Sequence, residues 1–260
     1  MLQLKTPHDI RKIIRTAEYT GYTAGLAPEY VQGNLVILPQ ADALDFAIFC
    51  HRNPKPCPII GISTPGDPFV QGLLGELDVR TDLSQYRVFK NGNVIAEPND
   101  IIQYWRDDLV AFVIGCSFSF EKILLDAGFK LPHIEKKTMV PMYQTSMMLV
   151  PTDKFSGNMV VSMRSFPKDQ VADVVKITSK YPQVHGTPVH IGNPKDIGIF
   201  NLYEPMFGDA PDKLPPDHVP LFWGCGVTPQ LVISTSKPKF CITHYPGCML
   251  VTDLLISDLI

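Results

Sequence analysis

The sequence predicts a mixed α/β fold: a larger three-layer α/β/α unit carrying an inserted, smaller two-layer α+β subdomain. Three observations point there. Leu109 to Gly128 reads LVAFVIGCSFSFEKILLDAG, in which an apolar Val/Ile-rich run ends at Gly115, a polar turn Cys116-Ser117-Phe118-Ser119 follows, and a helical segment closes at Gly128. Val219 to Ser236, VPLFWGCGVTPQLVISTS, repeats the pattern around Gly224-Cys225-Gly226, with Thr228 as N-cap and Pro229 opening the helix. Between them the segments read strand, strand, helix, strand. The expected division is therefore 1–132 with 198–260 as a discontinuous larger domain, and 133–197 as the insert. Leu109–Ile114 and Pro220–Trp223 are expected in one sheet, with ligand bound beyond the strands' carboxyl ends.

Taken in order, Ile10 to Tyr19 has helical spacing, with Ile10, Ile13, Ile14 and Ala17 on one face. Gly21 to Pro28 is a Gly-rich turn without the spacing of a phosphate-binding fingerprint. Val31–Leu38 reads as a strand and Ala41–Asn53 as a helix. KPCPIIGISTPGDP, residues 55–68, holds a short strand at Ile59–Ile62 before a rigid turn, read as the loop after a parallel strand. Asn91-Gly92 marks a hairpin, and Asn99 starts a helix through Trp105. Met142–Val150, Met159–Met163 and Val189–Ile191 read as strands, and Lys168–Lys180 as a helix. After a Pro- and Asp-rich loop at 205–220, the chain closes with a strand at Phe240–Thr243 and a helix from about Met249.

Composition narrows the function. The chain has 260 residues, 45% of them hydrophobic, and a formal charge of −3. That is enough for a large core and lacks the basic stripe of a nucleic-acid or membrane-surface binder. No apolar run approaches a membrane span of about 20 residues. The N-terminal stretch has no signal-peptide core, and Asp9 and Glu18 argue against a mitochondrial presequence, so a cytoplasmic protein is expected. Six cysteines, with no CxxC pair among them, read as reduced thiols rather than zinc ligands. No metal site is expected.

Several long motifs carry a family resemblance: GLAPEYVQGNLVILP, FCHRNPKPCPIIGISTPGDP, WRDDLVAFVIGCSFSFE, HIE, VPMY, VVSMR, ITSKYPQVHGTPVHIG, FWGCGVTPQ and FCITHYPG. They resemble the bacterial putative hydro-lyase family, itself similar to one half of mitochondrial D-glutamate cyclase, from about Gly21 to Leu254. The resemblance implies a two-part α/β fold and a lyase that releases water from a small carboxylic or amino acid. It implies no metal or organic cofactor. The expected partner is that small substrate, with no nucleic acid and no membrane, and a homo-oligomer is compatible with the sequence.

Such a reaction needs a base, an acid and an anion clamp. Among histidines, His185, His190 and His244 are candidates. His244, at a strand's carboxyl end before Pro246-Gly247, ranks first as the catalytic imidazole. Glu121 is the second acid–base candidate, although a first-turn carboxylate is also explained by the helix dipole alone; Asp67 is a third. Cys116 and Cys225 gain nucleophilic character if a helix N-terminus lowers their pKa, against the bland reading of small buried thiols. For the clamp, Arg52 and Arg164 rank ahead of Arg80 and Arg106, each weighed against a structural ion pair such as Arg106 with Asp108. Ser117, Ser119, Cys225, Thr228, His190 and Tyr143 complete the expected substrate-binding set. The rival readings are a non-catalytic carboxylate or amino-acid binding protein and a cysteine-dependent transferase or hydrolase.

Overall fold

The computed structural model describes residues 6–73 and 75–259. In chain order its elements are α1 (Pro7–Arg15), β1 (Tyr30–Pro39), α2 (Gln40–Arg52), β2 (Ile59–Ile62), β3 (Tyr86–Lys90), β4 (Asn93–Ala96), β5 (Leu109–Gly115) and α3 (Phe118–Asp126). There follow α4 (Pro132–Glu135), β6 (Met142–Met148), β7 (Asn158–Pro167), α5 (Val171–Thr178), β8 (His190–Ile191), β9 (His218–Gly224), α6 (Thr228–Ser236), β10 (Phe240–His244) and β11 (Leu250–Leu255).

The class is mixed α/β, built on two antiparallel sheets. The larger is seven-stranded, in the order β2-β5-β1-β10-β3-β4, with β11 beside the first half of β1. The smaller is β6-β7-β9-β8. Every pairing is antiparallel, so the parallel-strand reading of the 55–68 loop fails. The apolar run of β5 misled because both of its faces are covered. Leu109, Ala111 and Val113 join one core, and Val110, Phe112 and Ile114 the other. Continuous apolar strands are commonest in parallel sheets, but double-sided burial is their physical cause in either case.

One of those cores is packed by Val70, Leu73, Leu77, Val79 and Leu83, from the stretch between β2 and β3. The other joins the larger sheet, α2, α6 and one face of the smaller sheet, with Phe46 edge-on to Phe112 at 5.0 Å and to Phe155 at 5.2 Å. The far face of the smaller sheet packs on α3 and α5 through Phe120, Leu124, Phe166, Val174 and Trp223. The strand β9 is drawn from beyond residue 197 into the smaller sheet, beside β7. The two Gly-Cys strands therefore end different sheets, and the expectation that they share one is wrong.

Local rules explain most elements. Asn91 (φ 50°) and Gly92 (φ 77°) make the expected hairpin turn. Gly128, at φ 88°, ends α3 with Gly128 N–H donating to Leu125 O and Phe129 N–H to Leu124 O, the paired bonds of a glycine-terminated helix. Two expectations fail. Asn99 begins no α-helix; only a single tight turn forms at Ile102–Tyr104. The segment after Met249 is strand β11, not helix, because the first half of β1 offers it an open edge. A short apolar run does not distinguish the two by periodicity.

Two histidines belong to the core. His244 is 1% exposed and its Nδ1 accepts the Leu35 N–H at 3.2 Å, while Gln230 donates to its carbonyl at 3.0 Å. All of these partners are structural, so His244 is withdrawn as the catalytic base. His185, fully buried at φ 81°, donates from Nδ1 to the Lys55 carbonyl at 2.7 Å. Burial pushes both imidazoles down to about 4 from an ordinary 6.5. The unfolded chain thus binds more protons between those values, and stability falls as pH drops through that window, by at most about 3 kcal/mol per histidine.

Two outcomes follow for stability. Urea unfolding should show stability falling from pH 7 to pH 4.5, and His244→Gln should make the fall shallower; an unchanged slope would contradict the buried, neutral state. Gly115→Ala should cost about 1–3 kcal/mol in the same assay, since a Cβ there runs into the backbone carbonyl of Gln183.

Candidate active site

The two Gly-Cys turns meet although they end different sheets. Asn34 of β1 joins them: its Nδ2 donates to the Gly115 carbonyl at 3.1 Å, and its side chain lies against Gly226, where no Cβ fits. Each thiol stands at the start of a helix, where nearby backbone amides, of Phe118 for Cys116 and of Val227 and Gly226 for Cys225, favour the thiolate. That geometry would lower a thiol's pKa, but burial outweighs it. Cys116 is pushed up to about 12 and Cys225 to about 11. Both are neutral thiols near pH 7, so Cys116 is not an activated nucleophile.

Beside the turns lies a buried polar chain. In β7, alternate residues Ser162, Arg164 and Phe166 face α3, while Val161 and Met163 face the opposite core. Arg164, with its side chain 1% exposed, donates from Nε to Glu121 Oε1 at 2.8 Å and from Nη2 to the same oxygen at shorter range. Its Nη1 donates to Ser162 Oγ at 3.0 Å and its Nη2 to Ser117 Oγ at 3.2 Å. The guanidinium also lies 5.0 Å from the Phe120 ring centroid and 5.6 Å from that of Trp223.

Glu121 Oε1 is 2.9 Å from His133 Nε2. Burial pushes the Glu121 carboxyl upward, but Arg164 and His133 together outweigh it and hold it below its ordinary value. With that carboxylate as acceptor, His133 donates from Nε2, and Nδ1 is the ring nitrogen left for other partners. His133, on the short helix α4, and Arg164 both line a cleft of about 270 Å³. Its far wall is the strap from Asp209 to Pro215, tied to α4 by the Lys136–Asp212 ion pair, with Lys213 and His218 adding basic groups. Among the described residues no cluster of three or more His, Cys, Asp or Glu is arranged to hold a metal.

Of the residues expected from sequence, Cys116, Ser117, Glu121, Arg164 and Cys225 gather at the buried junction, and of these Arg164 is also on the cleft wall. The others do not. Ser119 Oγ accepts the Gln32 N–H at 3.0 Å and fastens α3 to β1. Thr228 Oγ1 exchanges hydrogen bonds with the Val160 backbone, fixing α6 to β7 rather than capping it. Tyr143 donates to the Leu202 carbonyl at 2.6 Å within the shared core. His190 bonds the Asn193 carbonyl and packs on Phe222. Arg52 is exposed and donates to the Pro151 carbonyl, and Arg106 pairs with Asp108. Arg164 itself is already engaged by Glu121, so it is not a free clamp for a substrate carboxylate.

Three residues were missed. His133 stands in the quoted HIE motif but in no predicted strand or helix, where ranking by strand ends could not reach it. Asn34 and Ser162 carried a clearer signal: Asn34 heads the apolar run Leu35–Leu38, Ser162 stands between Val161 and Met163, and both are at most 2% exposed.

Comparison with known proteins gives the family. Residues 110–253 match the family model described as D-glutamate cyclase. A protein of Pelagibacter ubique named "Putative hydro-lyase" is 52% identical, covering 100% of this chain and 99% of its own. Proteins of the same name from Xanthobacter autotrophicus (51%, covering 96% and 90%) and a Methylobacterium species (53%, covering 97% and 94%) match similarly. A solved nitrogen repressor-like protein from Methanococcus jannaschii aligns over 92% of both chains with a TM-score of 0.39 and 9% identity, too distant to bear on fold or function. With full-length relatives at about half identity and a matching family model, this chain belongs to the D-glutamate cyclase family, among bacterial lyases that carry the hydro-lyase name.

Proposed function

We propose that the chain eliminates water from a small carboxylic or amino acid in the cleft beneath the 209–215 strap, with His133 as the general base. The observation that carries this reading is the Glu121–His133 pair, with His133 on the wall of a cleft that Lys213 and His218 also line. Cyclisation of glutamate to 5-oxoproline is one concrete form. The free α-amine attacks the carbon of the protonated γ-carboxyl group, forming the C–N bond; His133 Nδ1 takes the amine proton, and the imidazolium returns it to the hydroxyl that leaves as the C–O bond breaks, giving water. Glu121 stabilises the imidazolium that forms between the two steps, and Arg164 keeps Glu121 ionised throughout. Lys213 on the cleft wall favours the substrate's carboxylate.

Turnover is measured as mass-resolved loss of one water from a panel of small carboxylates that includes D-glutamate. His133→Gln should lower kcat by about 10²–10⁴-fold while the near-UV circular dichroism is kept. Cys116→Ser should retain most of the rate, because a thiol held neutral takes no part. Full activity in His133→Gln, or complete loss in a folded Cys116→Ser, would overturn the assignment. A substrate returned unchanged after long incubation would move the reading to a binding protein.

A further inference from the structure

Beyond the wall formed by Met139 and Asp209, which lines the reaction cleft on one side, lies a second cleft of about 220 Å³. Its other principal groups are Tyr22, Arg87, Phe207 and Tyr245. Arg87 is the informative one. Its side chain is only 20% exposed, yet among the described residues its sole hydrogen bond is from Nε to Glu97 Oε1 at 2.8 Å. The guanidinium lies 4.5 Å from the Tyr245 ring centroid. Glu97 on one edge and the Tyr245 face beneath therefore hold it in place, and both terminal nitrogens are without a hydrogen-bond partner among the described residues. A largely buried guanidinium with a free two-nitrogen edge is built to take an oxyanion bidentately.

The rest of the cleft sets the body of that ligand. Tyr22 and Phe207 add two more rings and Met139 a polarisable apolar surface. Gly247 lets this wall close up, since a Cβ there would meet the Tyr22 ring at 2.6 Å and the Met139 methyl at 2.9 Å. Among the described residues Arg87 makes no ion pair with Asp209; its pair is Glu97, and Asp209 Oδ2 accepts the Met139 N–H at 2.7 Å. We propose that this second cleft binds a carboxylate carried on a flat, unsaturated body, with Arg87 taking the carboxylate edge and the Tyr22, Phe207 and Tyr245 rings flanking the body. The proposal rests on Arg87 and its rings, not on the His133 reading.

Benzoate is the probe, titrated calorimetrically into the wild-type chain, with cyclohexanecarboxylate and inorganic phosphate in parallel. Benzoate should bind saturably and more tightly than either. Arg87→Gln should weaken it by about tenfold or more, the loss expected for a charge-assisted pair. Tyr22→Ala, on an exposed coil where folding is not at stake, should also weaken it, and His133→Gln should leave it unchanged. The proposal is overturned if benzoate does not bind, or if binding survives both Arg87→Gln and Tyr22→Ala. Loss with His133→Gln alone would place benzoate in the reaction cleft and equally overturn it, and phosphate binding as tightly as benzoate would remove the flat body.

Discussion

A guanidinium taken out of water costs several kcal/mol unless an opposite charge and hydrogen bonds replace the lost hydration. Arg164 meets that demand within the protein. Glu121 supplies the charge, Ser117 and Ser162 supply acceptors, and two aromatic faces cover the rest. Because Arg164 sits on the smaller sheet and Glu121 on α3, directly after a strand of the larger sheet, the pair ties one sheet to the other. Such a pair contributes less to stability than to geometry: replacing it by packed apolar groups is often neutral, whereas removing one member leaves a bare buried charge.

The same constraint carries through to chemistry. Glu121 is held ionised, and an ionised carboxylate is what orients His133 at the cleft. The Gly-Cys turns serve this arrangement by allowing close approach rather than by supplying nucleophiles. Gly115 leaves room for the Gln183 backbone, Gly224 for the Lys55 backbone, and Gly226 for Asn34. The cysteines that follow are small enough to remain buried in the resulting junction.

Much of this was legible in the sequence, and the failures have physical causes. The strand–Gly-Cys–helix units were recognisable because Gly, apolar β-formers and helix-end signals act locally, and so α3 and α6 begin and end close to where they were expected. Which sheet each strand joins was not legible. Strand partnering depends on open edges presented by distant segments, which is why β9 was placed with the wrong sheet and β11 was read as a helix. In the site, Ser117 and Glu121 stood out in the turn and first helical turn after an apolar strand, and Arg164 at the end of one. His244 stood out for its place at a strand's carboxyl end, yet it is satisfied by Leu35. Position at a strand end does not distinguish a histidine facing a cleft from one facing the core. His133 lies on a single helical turn whose placement depends on Glu121, a contact invisible to periodicity.

The most direct test of this account is a double-mutant cycle on the buried pair, read as unfolding free energy in urea at pH 7. Arg164→Met and Glu121→Leu should each cost about 3–5 kcal/mol, because each strands its partner's charge. The double variant should cost far less than the sum of the two, since no buried charge remains. If the two losses simply add, Arg164 and Glu121 do not act as a unit, and the junction between the sheets rests on something else.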